Sequence, residues 1–466
     1  MKGHGSHRIN RDRCVPVILM CVLMCVLVLP ACSRQPDPGV KRIELWTLSL
    51  RPRFTDYMER VLSAFEDNHP GVKVKWVDVP FEAINRKLIA AAVAGKAPDV
   101  VNLSDLQYAR FASLGATADL TDLLPMDPDR VYLAGALAPA RIDGKLGALP
   151  WYLTTTVRLI NADLLKEAGW EPQQIADNWP ELQQQARAYH KQTGKFLFTQ
   201  ALAVESELPT MLIADGRPPF TERNGKLRAD LTRDEVVDYI DGWVRLYRDG
   251  ALPRAAATAG HAHVVEHYQN RQIAVAITGA NFLSRIADAA PDVFHATTVR
   301  PPMTGRLGRA HIAAMFLSVM STSEHPRESA ALAAWLTSPD NQLAFCKLVN
   351  IMPSTPEVLS DPHFAEPAEA DDSPEYKLAL ARALSAQAMP TAVAFTPSLG
   401  AWPDLRRAFN EGIKDALLNG KDTRNTLAAI EKQWNQILDD AVPTGMDVIP
   451  QPRPVHEDRH DEEVGP

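Results

Sequence analysis

Two histidine clusters and five cysteines are the residues of this 466-residue chain whose types invite chemistry first. "HAHVVEH" puts His263 and His267 one helical turn apart, with His261 just before them. That spacing suits zinc, but no fourth ligand is evident around it. His456-Glu457-Asp458-Arg459-His460 has the form of the H-E-x-x-H zinc-protease motif, which works only on a rigid helix with a third ligand. Here it lies in an acidic, Pro-rich tail, so neither a metal nor a hydrolytic site is expected. No cysteine pair has metal or redox spacing. Cys346, alone in "LAFCKLV", reads as a small buried hydrophobe. A hydrolase would need carboxylates or metal ligands on rigid elements, and no such constellation is found. The expectation is a protein without catalysis or cofactor.

The elements that surround these residues begin with an export signal. "MKGHGSHRINRDR" is basic, and "CVPVILMCVLMCVLVL" is sixteen residues without a charge. A membrane span needs about 20 apolar residues, so this run suits the core of a signal peptide. Leu29-Pro30-Ala31-Cys32 then resembles the lipobox of bacterial lipoproteins. The resemblance implies cleavage before Cys32 and lipid on its thiol and new amino group. Residues 32–40, "CSRQPDPGV", read as a flexible tether. The formal charge of −8 and the lack of a basic stripe argue against nucleic acid as a partner.

From residue 41 the pattern is α/β. "RIELWTL" is strand-like, and "PRFTDYMERVLSAFEDNHPG" carries Phe54, Met58, Val61, Leu62 and Phe65 at helical spacing. "VKVKWVDV" alternates, "FEAINRKLIAAAVAGKAP" is a helix and "DVVNL" a short buried strand, with Ser104 or Asp105 placed to cap the next helix. Strand-helix-strand-helix-strand in about sixty residues is a βαβαβ unit with a parallel sheet. Asn161 and Asn178 are placed to cap later helices. "DPHFAEPAEADDSPEY" and residues 443–466 are acidic and Pro-rich, a loop and a disordered tail.

The order of the segments is similar to the extracellular solute-binding proteins of bacterial ATP-driven importers, the sugar-binding group. "FEDNHPGVKVKWVDV", "AAAVAGKAPDVVNL", "GATADLTDLLP", "NQLAFCKLVNIMPSTPEVLSDP" and "LGAWPDLRRAFNEGIKDALLNGKDTRNTLAAIEKQWNQIL" each match a step of that family. "IDGKLGALPWYLTTTVRLINADLLKEAGW" is the longest and most specific match, and together they span residues 42–440. The resemblance implies a type II periplasmic-binding-protein fold, two α/β lobes with three hinge crossings. The first lobe is expected from 41–152 and 304–350, the second from 157–300 and 351–442. The crossings are expected near Leu153–Thr156, Val299–Met303 and Asn350–Thr355. It further implies a monomeric receptor at the cell envelope, anchored to the membrane through Cys32. Such a receptor captures a saccharide between its lobes and hands it to permease subunits. An interaction or sensor lipoprotein on the same fold is the alternative.

Ligands of open α/β sheets sit beyond the carboxyl ends of strands, where helix N-termini point. Trp46, Thr47 and Ser49 leave one strand there, Trp151 and Tyr152 precede the first crossing, and Trp402 opens a helix. Aromatic rings stack on the apolar faces of sugars, while Asp105 and Asn281 offer partners to hydroxyls. Phe282 and His311 join them because two family positions depart from the usual pattern. "GANF" stands where a Trp often follows the Gly, and "GRAHIAAMF" stands where Gly-Gly is common. Those departures mean that a typical relative's ligand does not transfer.

Overall fold

In the computed structural model, residues 39–142, 144–367, 371 and 373–441 are described. "RIELWTL" forms β1 (Lys41–Leu48), and α1 (Thr55–Asn68) buries Met58, Val61, Leu62 and Phe65 on the stripe its spacing marks. β2 (Val72–Val79), α2 (Ile84–Val93) and β3 (Val100–Ser104) complete the βαβαβ unit. β1 and β3 are parallel, with Leu45 opposite Val100. Ser104 is the residue that caps α3 (Asp105–Ser113), in a reciprocal capping box with Gln107. β4 (Ala148–Asn161) follows, and Asn161 caps the helix after it.

The chain then lays down α4 (Trp179–Thr193), capped by Asn178, β5 (Phe196–Phe198), α5 (Leu208–Ala214) and α6 (Asp234–Arg248). α7 (Ala262–Gln269), β6 (Ile273–Gly279), α8 (Phe282–Ala289) and β7 (Thr297–Arg300) come next. It returns through β8 (Ile312–Val319), α9 (Pro326–Leu336), α10 (Pro339–Cys346) and β9 (Met352–Pro353). α11 (Pro374–Ala388), α12 (Trp402–Leu418) and α13 (Thr423–Asp440) finish the described chain.

One strand joins the two halves. The first half of β4 pairs with β8 and β9, the second half with β6 and β7, all antiparallel. The sheet order is β2-β1-β3-β8-β4-β6-β5, with β7 and β9 also on β4. One core, around Leu45, Val101, Trp151 and Phe316, serves the first lobe. Two more cover the second lobe: one around Trp243, Trp402 and Trp434, the other around Tyr268 and Phe294.

The last crossing differs from expectation. Met352, Val358 and Phe364 pack in the first lobe's core, not the second's. α11 then places Ala381 in a second-lobe core and Ala386 in the first. Met389, Ala392 and Ala394 stay with the first lobe, and only at Leu399 and Trp402 does the chain enter the second. The pattern of apolar residues announces burial but not which of two lobes supplies the cover. Among the described residues, no helix is long and apolar enough to cross a membrane. The leader, Cys32, the H-E-x-x-H run and the tail lie outside the described residues.

Cys346 is buried, and burial pushes its thiol up to about 12. A thiol reagent should therefore leave Cys346 unmodified in the native chain and react once denaturant unfolds it. Equal reaction rates in both states would contradict this packing. The Trp402 ring packs against Phe220 and Trp434. Trp402→Ala should cost about 3–5 kcal/mol of stability in chemical denaturation; a loss within error of zero would contradict its place in the core.

Candidate ligand-binding site

Side chains alternate along a strand, and on β4 that alternation divides core from cleft. Trp151, Leu153, Thr155 and Val157 are buried, while Tyr152, Thr154 and Thr156 between them are only half-buried. On the neighbouring β8, Met315 stands opposite Tyr152 and exposed Ala313 opposite Thr154; Gly279 of β6 stands opposite Thr156. Directly opposed residues share a face, so these six form one open floor where β4 passes from lobe to lobe. The small, exposed Ala313 leaves room above it, whereas the space beside Gly279 is taken by the Asn281 side chain, whose Oδ1 a Cβ there would strike. The Thr154 and Thr156 hydroxyls have no hydrogen-bond partner among the described residues.

Charged groups from both lobes converge at one side of this floor. Asp105 opens α3 in the first lobe, its Oδ1 accepting the Leu106 N–H at 2.8 Å. From the second lobe, Arg406 on α12 pairs with Glu207 before α5 at 2.7 Å and donates to the Ser206 carbonyl at 3.2 Å. His311 lies between. Its Nδ1 accepts the Phe395 N–H at 3.1 Å, which places the proton of the neutral ring on Nε2. Burial raises Asp105 above the ordinary carboxylate range, against the opposing pull of His311 and the Thr396 hydroxyl. Burial likewise lowers His311, with Glu207 and Asp105 opposing it. Both groups are thus biased toward their neutral forms. The lobes touch beside this cluster: α3 packs on α12, and Leu106 joins the second lobe's core. Gly400 comes so near α3 that a Cβ there would collide with Ser113.

Next to this cluster stand Glu205, His261, Asn281 and Phe282, with Glu207 near enough to pull on His261 as well as on His311. Glu205 accepts the His261 N–H at 2.9 Å, and the His261 Nε2 meets the Thr278 hydroxyl at 3.1 Å. Phe282 presents an edge-on contact with the His261 ring at 6.2 Å and is half-buried; Asn281 is exposed.

The residues expected from sequence divide accordingly. Asp105, Tyr152, His311, Asn281 and Phe282 lie on or around the floor. Trp151 and Trp402 are both 0 % exposed and offer no face to a ligand. Trp151 stacks on Phe345 at 5.3 Å, at the bulge where the pairing of β4 with β8 shifts register, and Tyr152 meets the same ring edge-on at 5.6 Å; Trp402 turns under its helix onto Trp434. Trp46 is 9 % exposed with its indole N–H on Glu44. Thr47 is buried between Asp78 and the Trp76 indole. Ser49 is exposed but caps the Phe81 N–H at 3.1 Å. Thr154 and Thr156 went unmarked, although the alternation in "WYLTTTV" carries the signal. Glu207 and Arg406 had none, since only the fold brings them together. The three neighbouring histidines hold no common centre: His261 meets Thr278, His263 bonds Gly260 and Thr199, and His267 bonds the His263 carbonyl. Among the described residues no cluster of His, Cys, Asp and Glu has metal-binding geometry.

A family model for bacterial extracellular solute-binding proteins matches residues 60–375, within both lobes. The chain belongs to this family. A periplasmic-binding protein of Synechococcus sp. MITs9220 superposes with a TM-score of 0.77 at 33% identity, covering 86% of this chain and 100% of its own. The arabinooligosaccharide-binding protein of Bacillus subtilis is 25% identical over 295 residues, 61% of this chain and 66% of its own. A Streptomyces antibioticus protein named as a lipoprotein in the oleD 5' region is 24% identical over 355 residues, 74% of this chain and 78% of its own. The two-lobed α/β fold of this solute-binding protein is thus that of periplasmic sugar-binding proteins.

The depressed His311 has a sign that can be tested. A histidine held neutral contributes stability above its ordinary value near 6.5, and that contribution is lost as pH falls through the native value. His311→Gln keeps an acceptor for the Phe395 N–H but cannot titrate. Its stability should fall less steeply than wild type between about pH 7 and 5, with the remaining slope owed to His261, His263 and His363, which burial also lowers. Identical slopes by chemical denaturation would contradict the burial of His311.

Proposed function

We propose that this solute-binding protein is a lipid-anchored receptor that takes an oligosaccharide onto the β4 floor between its lobes and delivers it to an ATP-driven importer. The single observation that carries the ligand reading is the floor itself: two unpartnered threonine hydroxyls beside a half-buried tyrosine, on the strand shared by both lobes. Vicinal hydroxyls of a sugar both donate and accept. They find acceptors in Asp105 and Glu207, donors in Arg406 and the His311 Nε2–H, and either in the threonines. The apolar sugar faces have Tyr152 and Phe282 to lie against. With ligand touching Asp105 on one lobe and Arg406 on the other, binding stabilises the closed arrangement, because only that arrangement brings both to the ligand. The relative named for arabinooligosaccharides supports the substrate class, and the lipobox-like Leu29–Cys32 together with the lipoprotein relative supports the anchor.

Calorimetric titration against neutral arabino- and malto-oligosaccharides tests the ligand reading. One-to-one saturation is expected with at least one of them. No heat and no shift in melting across the whole panel would overturn it. Asp105→Ala should weaken the successful ligand about 2- to 10-fold, the loss of about 0.5–1.5 kcal/mol for one hydrogen bond. Cys32→Ser should release the protein from the membrane or leave its leader uncleaved, with its affinity unchanged. A drop in affinity would mean that the tether takes part in binding.

A further inference from the structure

The two most exposed large apolar side chains lie at the same end of the first lobe, away from the cleft. Among the described residues Val93 is 85% exposed and Leu114 68%. α2 buries Ile84 and Leu88. A helix turns about 100° per residue, so Arg86, Ile89, Ala90 and Val93 share the opposite, outward face. All four are exposed. An outward face ordinarily carries polar side chains; this one carries three apolar residues and a cation.

The direction of α2 decides which end of the lobe this face reaches. Beyond Val93 the chain passes Lys96 into β3, where the Asp99 N–H bonds the Glu44 carbonyl at 3.0 Å and Val100 stands opposite Leu45. Val93 and Lys96 therefore sit where β1 begins, beside exposed Arg42. Leu114 ends α3 at the same level. The Asp99 carbonyl accepts the Met320 N–H, and the Ala116 carbonyl accepts the Ser321 N–H, both at 2.9 Å. The cleft lies at the other end of these strands, beyond Ser104.

We propose that this end of the first lobe is a docking surface for an anionic phospholipid membrane. Ile89, Val93 and Leu114 enter the headgroup region, and Arg42, Arg86 and Lys96 meet lipid phosphates. The inference rests on the reading of Cys32 as the lipid-bearing residue. Lys41 comes nine positions after Cys32, and nine residues span at most about 30 Å. An acyl chain on Cys32 thus holds the start of β1 within that distance of the lipid, and this is the end at which the patch lies. Charge agrees. Arg42, Arg86 and Lys96 are exposed and have no acidic partner among the described residues, while Glu44 is paired with Lys75 at 2.8 Å. The cations are left to set the local sign, which attracts anionic headgroups. Three apolar side chains bind lipid weakly alone, but the anchor makes the encounter intramolecular. A first lobe resting in this way has its cleft end raised from the bilayer.

The test uses the full-length chain, as processed by its host, with Val93→Cys carrying a polarity-sensitive dye; Cys346 is buried and does not compete. Leu418→Cys, on an exposed site of the second lobe, is the control. On vesicles of phosphatidylethanolamine and phosphatidylglycerol the emission at position 93 should shift to the blue and that at 418 should not. The shift should be lost when Arg42→Glu and Lys96→Glu are added or when phosphatidylcholine replaces the anionic lipid. A protein that sediments with the vesicles but shows no shift at 93, or the same shift at both sites, overturns the docking surface while leaving the anchor intact. A protein that does not sediment with them overturns the anchor reading at Cys32 and this surface with it.

Discussion

The period-two alternation of β4 is the constraint on which the rest of the site depends. One strand runs through both lobes, pairing with β8 in the first and β6 in the second. Its inward residues belong to the two lobes' cores, so its register cannot slip by one without exposing Leu153 and Val157 and burying Thr154 and Thr156. Core packing therefore fixes the direction in which Tyr152, Thr154 and Thr156 point. At Thr154 and Thr156 the floor of the cleft is the reverse side of the hydrophobic core, and its precision comes from the strand instead of from loops.

The walls follow a different logic. Asp105 is held by the N-terminus of α3, His311 by the Phe395 N–H, and Arg406 by Glu207 and the Ser206 carbonyl. Each is fixed within the protein before a ligand arrives, which lowers the cost of ordering on binding. The cluster is drawn from both lobes, so its geometry exists only where they meet. Burial keeps Asp105 and His311 toward their neutral forms, which suits the recognition of uncharged hydroxyl groups better than a fixed ion would.

Much of the first lobe was legible because its signals are local. The helical stripe of α1, the alternation of β2 and the cap at Ser104 need only neighbours in sequence, as do the caps at Asn161 and Asn178 in the second lobe. The long "DGK…AG" segment identified the strand that crosses. Trp151 and Trp402 show where local reading ends. Both follow loop-like signals, yet one sits at a bulge of the crossing strand, stacked on Phe345, and the other is turned inward by a core built from Phe220 and Trp434. The late chain shows the same limit. Met352 and Phe364 announce burial, but two lobes competed to provide it, and only long-range packing decided. Glu207 and Arg406 lie far apart in sequence and meet only in the folded protein.

Central to this account is that a sugar sits on β4 between the lobes. A crystal structure of the chain grown with the tightest-binding oligosaccharide tests it most directly. The account predicts ordered sugar density over Thr154 and Thr156, within hydrogen-bond distance of Asp105 from one lobe and Arg406 from the other. Density bound elsewhere on the molecule, or an empty floor in a chain shown to be saturated in the same solution, would contradict it.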